Sequence, residues 1–209
     1  VSPAQRDSIQ LLKILGLILE DATPSSIPEK IISAVLDSLK ADIGAILNLQ
    51  DANYADLANA YDKSMKRKIA GMSINLDNQP TLVNAIERRS QRPLYTDRNT
   101  NELRDLYNRL DIEQTGPAYF QPLTRGKDLV GVLLVATPYT QRELDEGERE
   151  LLKGIGIIAG NLLGLSYAAR DAGLKAEERA IQALVQGIPL EQMNDSSVLA
   201  ARQEMQSNL

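Results

Sequence analysis

Residues 118–136 read AYFQPLTRGKDLVGVLLVA. Two apolar runs, Ala118 to Leu123 and Leu129 to Ala136, flank the polar link Arg125-Gly126-Lys127-Asp128. Apolar runs of this length around a glycine-containing link predict two antiparallel strands joined as a hairpin. Pro122 has no N–H to give to a ladder, so it predicts a sheet edge or a bulge there. Gly131 predicts close approach of a neighbouring backbone.

Upstream, the pattern alternates between helix and strand. Ser26-Ile27-Pro28-Glu29 reads as a capping box opening a helix through Ile31, Ile32, Val35, Leu36 and Leu39. Ile43, Ala45, Leu47 and Leu49 alternate as in a half-buried strand, and Asp51-Ala52-Asn53 turns into a returning strand over residues 54–62. Lys66-Arg67-Lys68 reads as a solvated loop, and residues 72–76 as a weak strand. Pro80 opens a helix that Pro93 stops from beyond, and Leu94-Tyr95-Thr96 is extended. Asn99 and Glu102 sit at capping-box spacing before Leu103, Leu106, Tyr107 and Leu110.

Two long helices flank this core. The first covers residues 3–20, with Ser2 as its cap and Pro3 in its first turn. Ile9, Leu11, Leu12, Ile14, Leu15, Leu17, Ile18 and Leu19 leave only a narrow polar strip through Gln10, Lys13 and Glu20. A surface helix shows one apolar stripe, so this one is expected to be covered on more than one side. The second covers residues 145–172. Leu151, Ile155, Ile158, Leu162 and Leu165 are spaced as an a/d seam. Gly156, Gly160 and Gly164 form a bare stripe beside it. Glycine costs ~1 kcal/mol in a helix relative to alanine, so three on one face predict that another backbone comes close. The expected organisation is an N-terminal dimerisation helix (1–24), an α+β core with its long helix (25–172) and a helical tail toward a possible downstream domain (173–209). Gly187-Ile188-Pro189 is expected to break that tail, and residues 196–209 to be weakly ordered unless covered.

The order of these patterns resembles the GAF family over residues 28–165. Pro80-Thr81-Leu82-Val83-Asn84-Ala85-Ile86 followed by Gln91-Arg92-Pro93-Leu94-Tyr95-Thr96-Asp97 is similar to its helix, strand and aspartate. Tyr119-Phe120-Gln121-Pro122-Leu123 is similar to its Pro-Leu strand, and Gly126 with Leu129-Val130-Gly131-Val132-Leu133-Leu134-Val135 to its return strand. Leu144-Asp145-Glu146-Gly147-Glu148-Arg149-Glu150-Leu151-Leu152 is similar to the start of its last helix. The resemblance implies a PAS-related central antiparallel sheet with helices packed on it, used in signal transduction. It also implies a pocket between the sheet and the helices that connect its middle strands. On this chain the walls would be Tyr95, Asp97, Arg98, Asn99, Glu113, Thr115, Tyr119 and Gln121. For Asp97 a structural role, capping or bracing the loop after Thr96, is expected ahead of a ligand contact.

Absent residue types narrow the function. The 209 residues include no cysteine and no histidine. Disulfides, thiol nucleophiles and Ser-His-Asp hydrolysis are excluded, as are the cysteine or histidine attachments of bilin, haem and thiol-redox members of the family. No cofactor is therefore expected. Arg125-Gly126-Lys127 lacks a phosphate-loop frame, and no catalytic constellation stands out, so a non-enzyme is expected. Cyclic-nucleotide binding has no support: Gln141 stands where that signature carries phenylalanine, and no Asn-Lys pair exists. The net charge of −5 argues against nucleic acid and anionic membranes. The apolar run 154–165 is too short to cross ~30 Å of hydrocarbon, so no membrane insertion is expected. The expected product is a bacterial, cytoplasmic sensor or regulatory domain. It would sense a small molecule, or act as a ligand-free dimerisation module in a larger protein. Pairing would use Leu11, Leu12, Leu15 and Ile18 with Leu151, Ile155, Ile158, Leu162 and Leu165, since one sheet face cannot cover both sides of the first helix.

Overall fold

A computed structural model describes residues 2–186. The hairpin forms as its pattern predicts: β6 (Ala118–Arg125) and β7 (Asp128–Ala136) pair antiparallel through a two-residue turn. Gly126 takes φ +62, the positive angle that the first position of a type II′ turn requires. Around it lie β1 (Ile43–Leu49), β2 (Tyr54–Asp62), β3 (Arg67–Lys68), β4 (Ser73–Asn75) and β5 (Arg92–Leu94). The strand order is β3-β2-β1-β7-β6-β5, with β4 also on β2. All the pairs are antiparallel. The helices are α1 (Pro3–Leu19), α2 (Ile27–Leu39), α3 (Pro80–Arg88), α4 (Thr100–Arg109) and α5 (Glu146–Gln186). The class is α+β, as expected.

Each face of the sheet carries its own layer. On one, Ile43, Ala45 and Leu47 of β1, Phe120 of β6 and Leu134 of β7 form a continuous core with Leu82 of α3 and Leu103, Leu106 and Tyr107 of α4. On the other, Ile32 and Leu36 of α2 reach β1 at Gly44, where an added Cβ would lie 3.0 Å from Ile32 Cγ2. The glycine stripe of α5 works as the spacing predicts. A Cβ on Gly156 would lie 2.9 Å from the Pro122 carbonyl oxygen, and one on Gly160 only 2.2 Å from that of Thr124. The approaching backbone is thus β6 of the same chain, next to its register shift at Leu123/Thr124. Pro122 sits past the last β5 partner, Phe120, where no further strand needs its N–H. α1 touches α5 through Leu11, which would meet a Cβ on Gly154 at 2.9 Å.

Two of the expected capping boxes are not formed, because each acid is used elsewhere. Ser26 Oγ accepts from Thr23 N at 2.9 Å, while Glu29 pairs with Lys68 at 2.7 Å. Asn99 Oδ1 accepts from Tyr95 N, and the Glu102 carboxylate accepts from both Thr81 N and Thr81 Oγ1 at 2.9 Å. Glu102 of α4 therefore caps the first turn of α3. Reciprocal boxes do form at Ser2/Gln5 and at Asp145/Glu148. Lys66-Arg67-Lys68 is not simply a solvated loop either. Arg67 and Lys68 form β3, and Arg67 stands 3.8 Å from the buried Asp62 carboxylate.

Two aspartates that the sequence reading passed over tie the exit of β7 to the sheet. Asp42 Oδ2 accepts from Tyr139 N and Thr140 N at 2.9 Å and from Thr140 Oγ1 at 3.2 Å. Asp62 is fully buried; it accepts from Tyr139 Oη at 2.7 Å and from Met65 N at 3.0 Å. Burial, then the hydrogen bond to Asp62, pushes the Tyr139 phenol up from 10.0 to about 12. The folded pKa lies above the unfolded one. The stabilisation is therefore fully present below pH ~10 and is lost as pH rises to ~12. Tyr107 and Tyr119 are raised as well, chiefly by burial, and add to the same slope. Denaturant titrations between pH 8 and 12 should show stability falling above ~10, with a shallower fall in Tyr139→Phe. An equal slope in the variant would remove Tyr139 from the linkage.

The described residues divide into two compact units with their boundary between Gly164 and Leu165. The boundary lies inside α5, which was expected to end near Ala172 but continues through Gly173 to Gln186. Gly187-Ile188-Pro189 and residues 196–209 lie outside the described residues. The helix is also longer than the membrane argument from residues 154–165 allowed. A window within residues 146–184 reaches a mean hydropathy of 1.4, enough by length and composition to cross a bilayer. Its glycine side at Gly156 and Gly160 packs on β6, which is how a core helix uses such a stretch.

Candidate functional site

The expected pocket face carries a cluster of buried side chains. Between the sheet and α3 and α4, Leu82, Leu94, Leu106, Tyr107 and Phe120 are each fully buried in one cluster. Tyr107 is the largest of the infills from α4. Its hydroxyl is buried with the ring and donates to the Gly116 carbonyl at 3.0 Å.

The eight expected ligand residues do not converge. Tyr95 and Asn99 are half-buried and bonded to each other through Tyr95 N and Asn99 Oδ1, at 2.9 Å. That bond is the brace of the loop after Thr96, the role expected of Asp97. Asp97 instead lies on the surface, with its side chain and that of Arg98 both 75% exposed and 3.9 Å apart. The Arg98 guanidinium stands 5.5 Å from the Tyr95 ring centroid, in cation–π range. Glu113 and Thr115 are exposed in the connection before β6, and the Thr115 carbonyl accepts from Gln141 Nε2. Arg98 and Asn99 border an open polar hollow of about 780 Å³ at the first turns of α3 and α4, together with Glu102 and Asp105.

Tyr119 and Gln121 are on the opposite face of the sheet. Strand side chains alternate, and on β6 it is Ala118 and Phe120 that enter the α3/α4 core. Tyr119 Oη accepts from Leu144 N at 2.9 Å, at the approach to α5. Gln121 accepts from Gln91 Nε2 at 2.9 Å and lies against Gly156.

The expected pairing residues also divide. Ile18 and Ile155 are 0% exposed and Leu151 is buried, so these three are spent on the core of their own chain. Leu11, Leu15, Ile158 and Leu162 are half-buried. Leu12 (67%) and Leu165 (54%) are exposed, and so are Ile9, Leu17 and Leu19 of α1 and Ile157 of α5 (60%). Among the described residues, the expected double cover of α1 is not supplied: of its side chains Ile14 and Ile18 are buried. The face of α5 turned to the core is Leu152, Ile155, Ala159 and Leu163, alongside the glycines.

No protein-family model matches the sequence, and no curated protein matches it. Solved structures do match it across most of its length. The GAF domain of a phosphoenolpyruvate-protein phosphotransferase from Coxiella burnetii superposes with a TM-score of 0.58 at 15% identity, over 78% of this chain and 98% of that one. The GAF-B domain of DevS from Mycobacterium smegmatis gives 0.54 at 16% identity, over 72% and 99%. The fold is a GAF fold. A third match, the chromophore-binding domain of Stigmatella aurantiaca bacteriophytochrome, has a TM-score of 0.61 at 10% identity and covers 78% of this chain and 62% of that one. At these identities the likeness carries the GAF architecture and not its ligands.

Proposed function

We propose that this chain is a non-catalytic GAF-type signalling domain that relays a conformational signal through a homodimer built on α1 and α5. The observation that carries the reading is the uncovered apolar surface of these helices, above all Leu12 and Ile157. Leu12 is the neighbour of Leu11, which contacts α5 at Gly154, and Ile157 and Ile158 lie about one turn further along α5. Apolar side chains gathered beside one helix–helix contact are what a second copy can cover. The buried apolar cluster on the α3/α4 face supports relay over ligand capture at that place. The lack of cysteine and histidine supports a domain without bilin, haem or thiol chemistry. A downstream effector would be driven through α5, and a ligand that favours one helix arrangement would bias it.

Sedimentation equilibrium tests the pairing. The chain should dimerise at micromolar concentration. Leu12→Glu combined with Ile157→Glu should weaken dimerisation by about 100-fold or more, because each copy places two charges in an apolar contact. Both side chains are exposed, so circular dichroism should show an unchanged fold. A wild-type chain that stays monomeric at high micromolar concentration rejects the reading.

A further inference from the structure

On the α2 side of the sheet, Gly44, Tyr61 and Lys68 are direct cross-strand neighbours on β1, β2 and β3. The side chains of Tyr61 and Lys68 share one face of the sheet, the face toward which a side chain at Gly44 would point. α2 rests on Gly44, because it has no side chain to hold Ile32 and Leu36 away. Tyr61 and Lys68 lie beyond the helix, and the space between forms a cleft of about 330 Å³. Lys68 Nζ reaches back to Glu29 Oε1 of α2 at 2.7 Å, bridging strand and helix at this cleft. The pairing of Ile46 with Asn59 and of Leu47 with Leu57 leaves Ala58 as an extra residue, so a β-bulge forms part of the wall. Bulges of this kind re-aim side chains next to binding sites. Ser33, Asn59 and Tyr61 also line the cleft, and among the described residues their side-chain polar atoms make no hydrogen bond. Ile32 gives it an apolar wall.

We propose that this cleft binds a small zwitterion with an aliphatic body, of the α-amino acid class, through Glu29 and Lys68. Glu29 and Lys68 already balance each other. A simple anion drawn to Lys68 leaves Glu29 beside a like charge, and a simple cation drawn to Glu29 does the same to Lys68. A ligand carrying both charges on neighbouring atoms inserts into the pair and leaves neither side chain unmatched. Its ammonium meets Glu29, its carboxylate meets Lys68, and its aliphatic part lies on Ile32. Ser33, Asn59 and Tyr61 supply the uncommitted donors and acceptors that fix its orientation. The volume falls in the range of small-molecule sites, which begins near ~300 Å³. The site deepens the sensing half of a signalling domain and does not rest on the dimer.

The test is amide-resolved NMR and calorimetry with L-leucine as probe. Saturable binding with a Kd at or below about 1 mM is expected, with the largest shifts at Asn59, Tyr61 and Lys68. Glu29→Ala and Lys68→Ala should each weaken binding by about tenfold or more; both are surface residues, so the spectrum should otherwise be that of the folded protein. 4-Methylpentanoate, which lacks the ammonium, and isoamylamine, which lacks the carboxylate, should bind about tenfold more weakly than leucine. The Leu12→Glu, Ile157→Glu variant should bind leucine as the wild type does, which separates this proposal from the dimer reading. The proposal is overturned by a lack of saturation at about 10 mM. Equal binding of either singly charged probe, or shifts confined to another part of the sheet, overturns it as well.

Discussion

Gly160→Ala should cost about 3 kcal/mol of stability, and the same change at Gly173 should add about 0.5–1 kcal/mol. Both glycines lie inside α5, and alanine is the better helix former at both. The difference is what the new methyl meets. At Gly160 it would fall 2.2 Å from Thr124 O and 2.4 Å from Thr124 N, atoms of the β6 backbone that no rotamer change can move. Helix and strand must separate along their contact, and the packing of Leu152, Ile155 and Ala159 is lost with it. At Gly173 nothing lies within 4 Å, so only the propensity gain remains. Gly164 should fall between, because its nearest neighbour is Arg125 Cδ, at 2.9 Å on a flexible side chain. In thermal unfolding the Gly160 change should lower Tm by about 6–12 °C and the Gly173 change raise it by about 1–4 °C. If the two variants moved Tm together, helix propensity alone would govern both sites and the contact with β6 would be wrong.

The glycine stripe was the most informative feature of α5. It predicted an approaching backbone, which is β6 and so marks the core face of the helix, whereas the a/d seam beside it does not. Leu151 and Ile155 belong to the core, Ile158 and Leu162 to its margin and Leu165 to the surface. A helix that is apolar over a wide arc offers several seams of nearly equal quality, and heptad spacing cannot choose among them. Glycines repeated on one face choose, because their combined helix cost marks an approaching neighbour, which a lone glycine such as Gly173 does not.

β6 shows a different limit. Its hairpin, turn and proline were legible, yet the face assigned to Tyr119 and Gln121 was the wrong one. Residues 118–123 are all buried, so polar and apolar positions do not alternate and the strand carries no internal mark of which parity faces which layer. A shift of one residue then moves every side chain to the other side. The failed capping boxes have a related cause. Ser26 and Asn99 had the right neighbours at the right spacing, but Glu29 and Glu102 found partners on Lys68 and Thr81, 39 and 21 residues away. Local spacing records which bonds are available; distant partners decide which are made.

Asp62→Ala should be among the most destabilising polar substitutions in the protein, at about 3–5 kcal/mol. Removing the carboxylate leaves the Tyr139 hydroxyl and the Met65 N–H without their acceptor and takes the buried counter-charge from Arg67. Asp62→Asn keeps the shape and one acceptor oxygen, so about 1–2 kcal/mol is expected there. The pair Asp62→Ala and Tyr139→Phe shares one hydrogen bond, so the double variant should fall short of the sum of the singles by about 1 kcal/mol. Additive losses would show that the bond is not formed in solution. The consequence reaches beyond stability. Asp42 and Asp62 hold Tyr139 and Thr140, the residues through which the chain leaves β7 for α5. Arg142 extends the tie, donating from Nη1 to Glu148 Oε2 at 2.7 Å and from Nη2 to the Leu39 carbonyl at the end of α2. α5 therefore enters its helix from a clamp fixed to β1, β2 and α2 at once. A relay that acts by shifting α5 must work against this clamp. If the chain pairs as proposed, Asp62→Ala should weaken dimerisation although no residue of the clamp lies on the exposed apolar surface of α1 and α5. Unchanged dimerisation in a variant this destabilised would mean that α5 is positioned by its glycine contact with β6 alone.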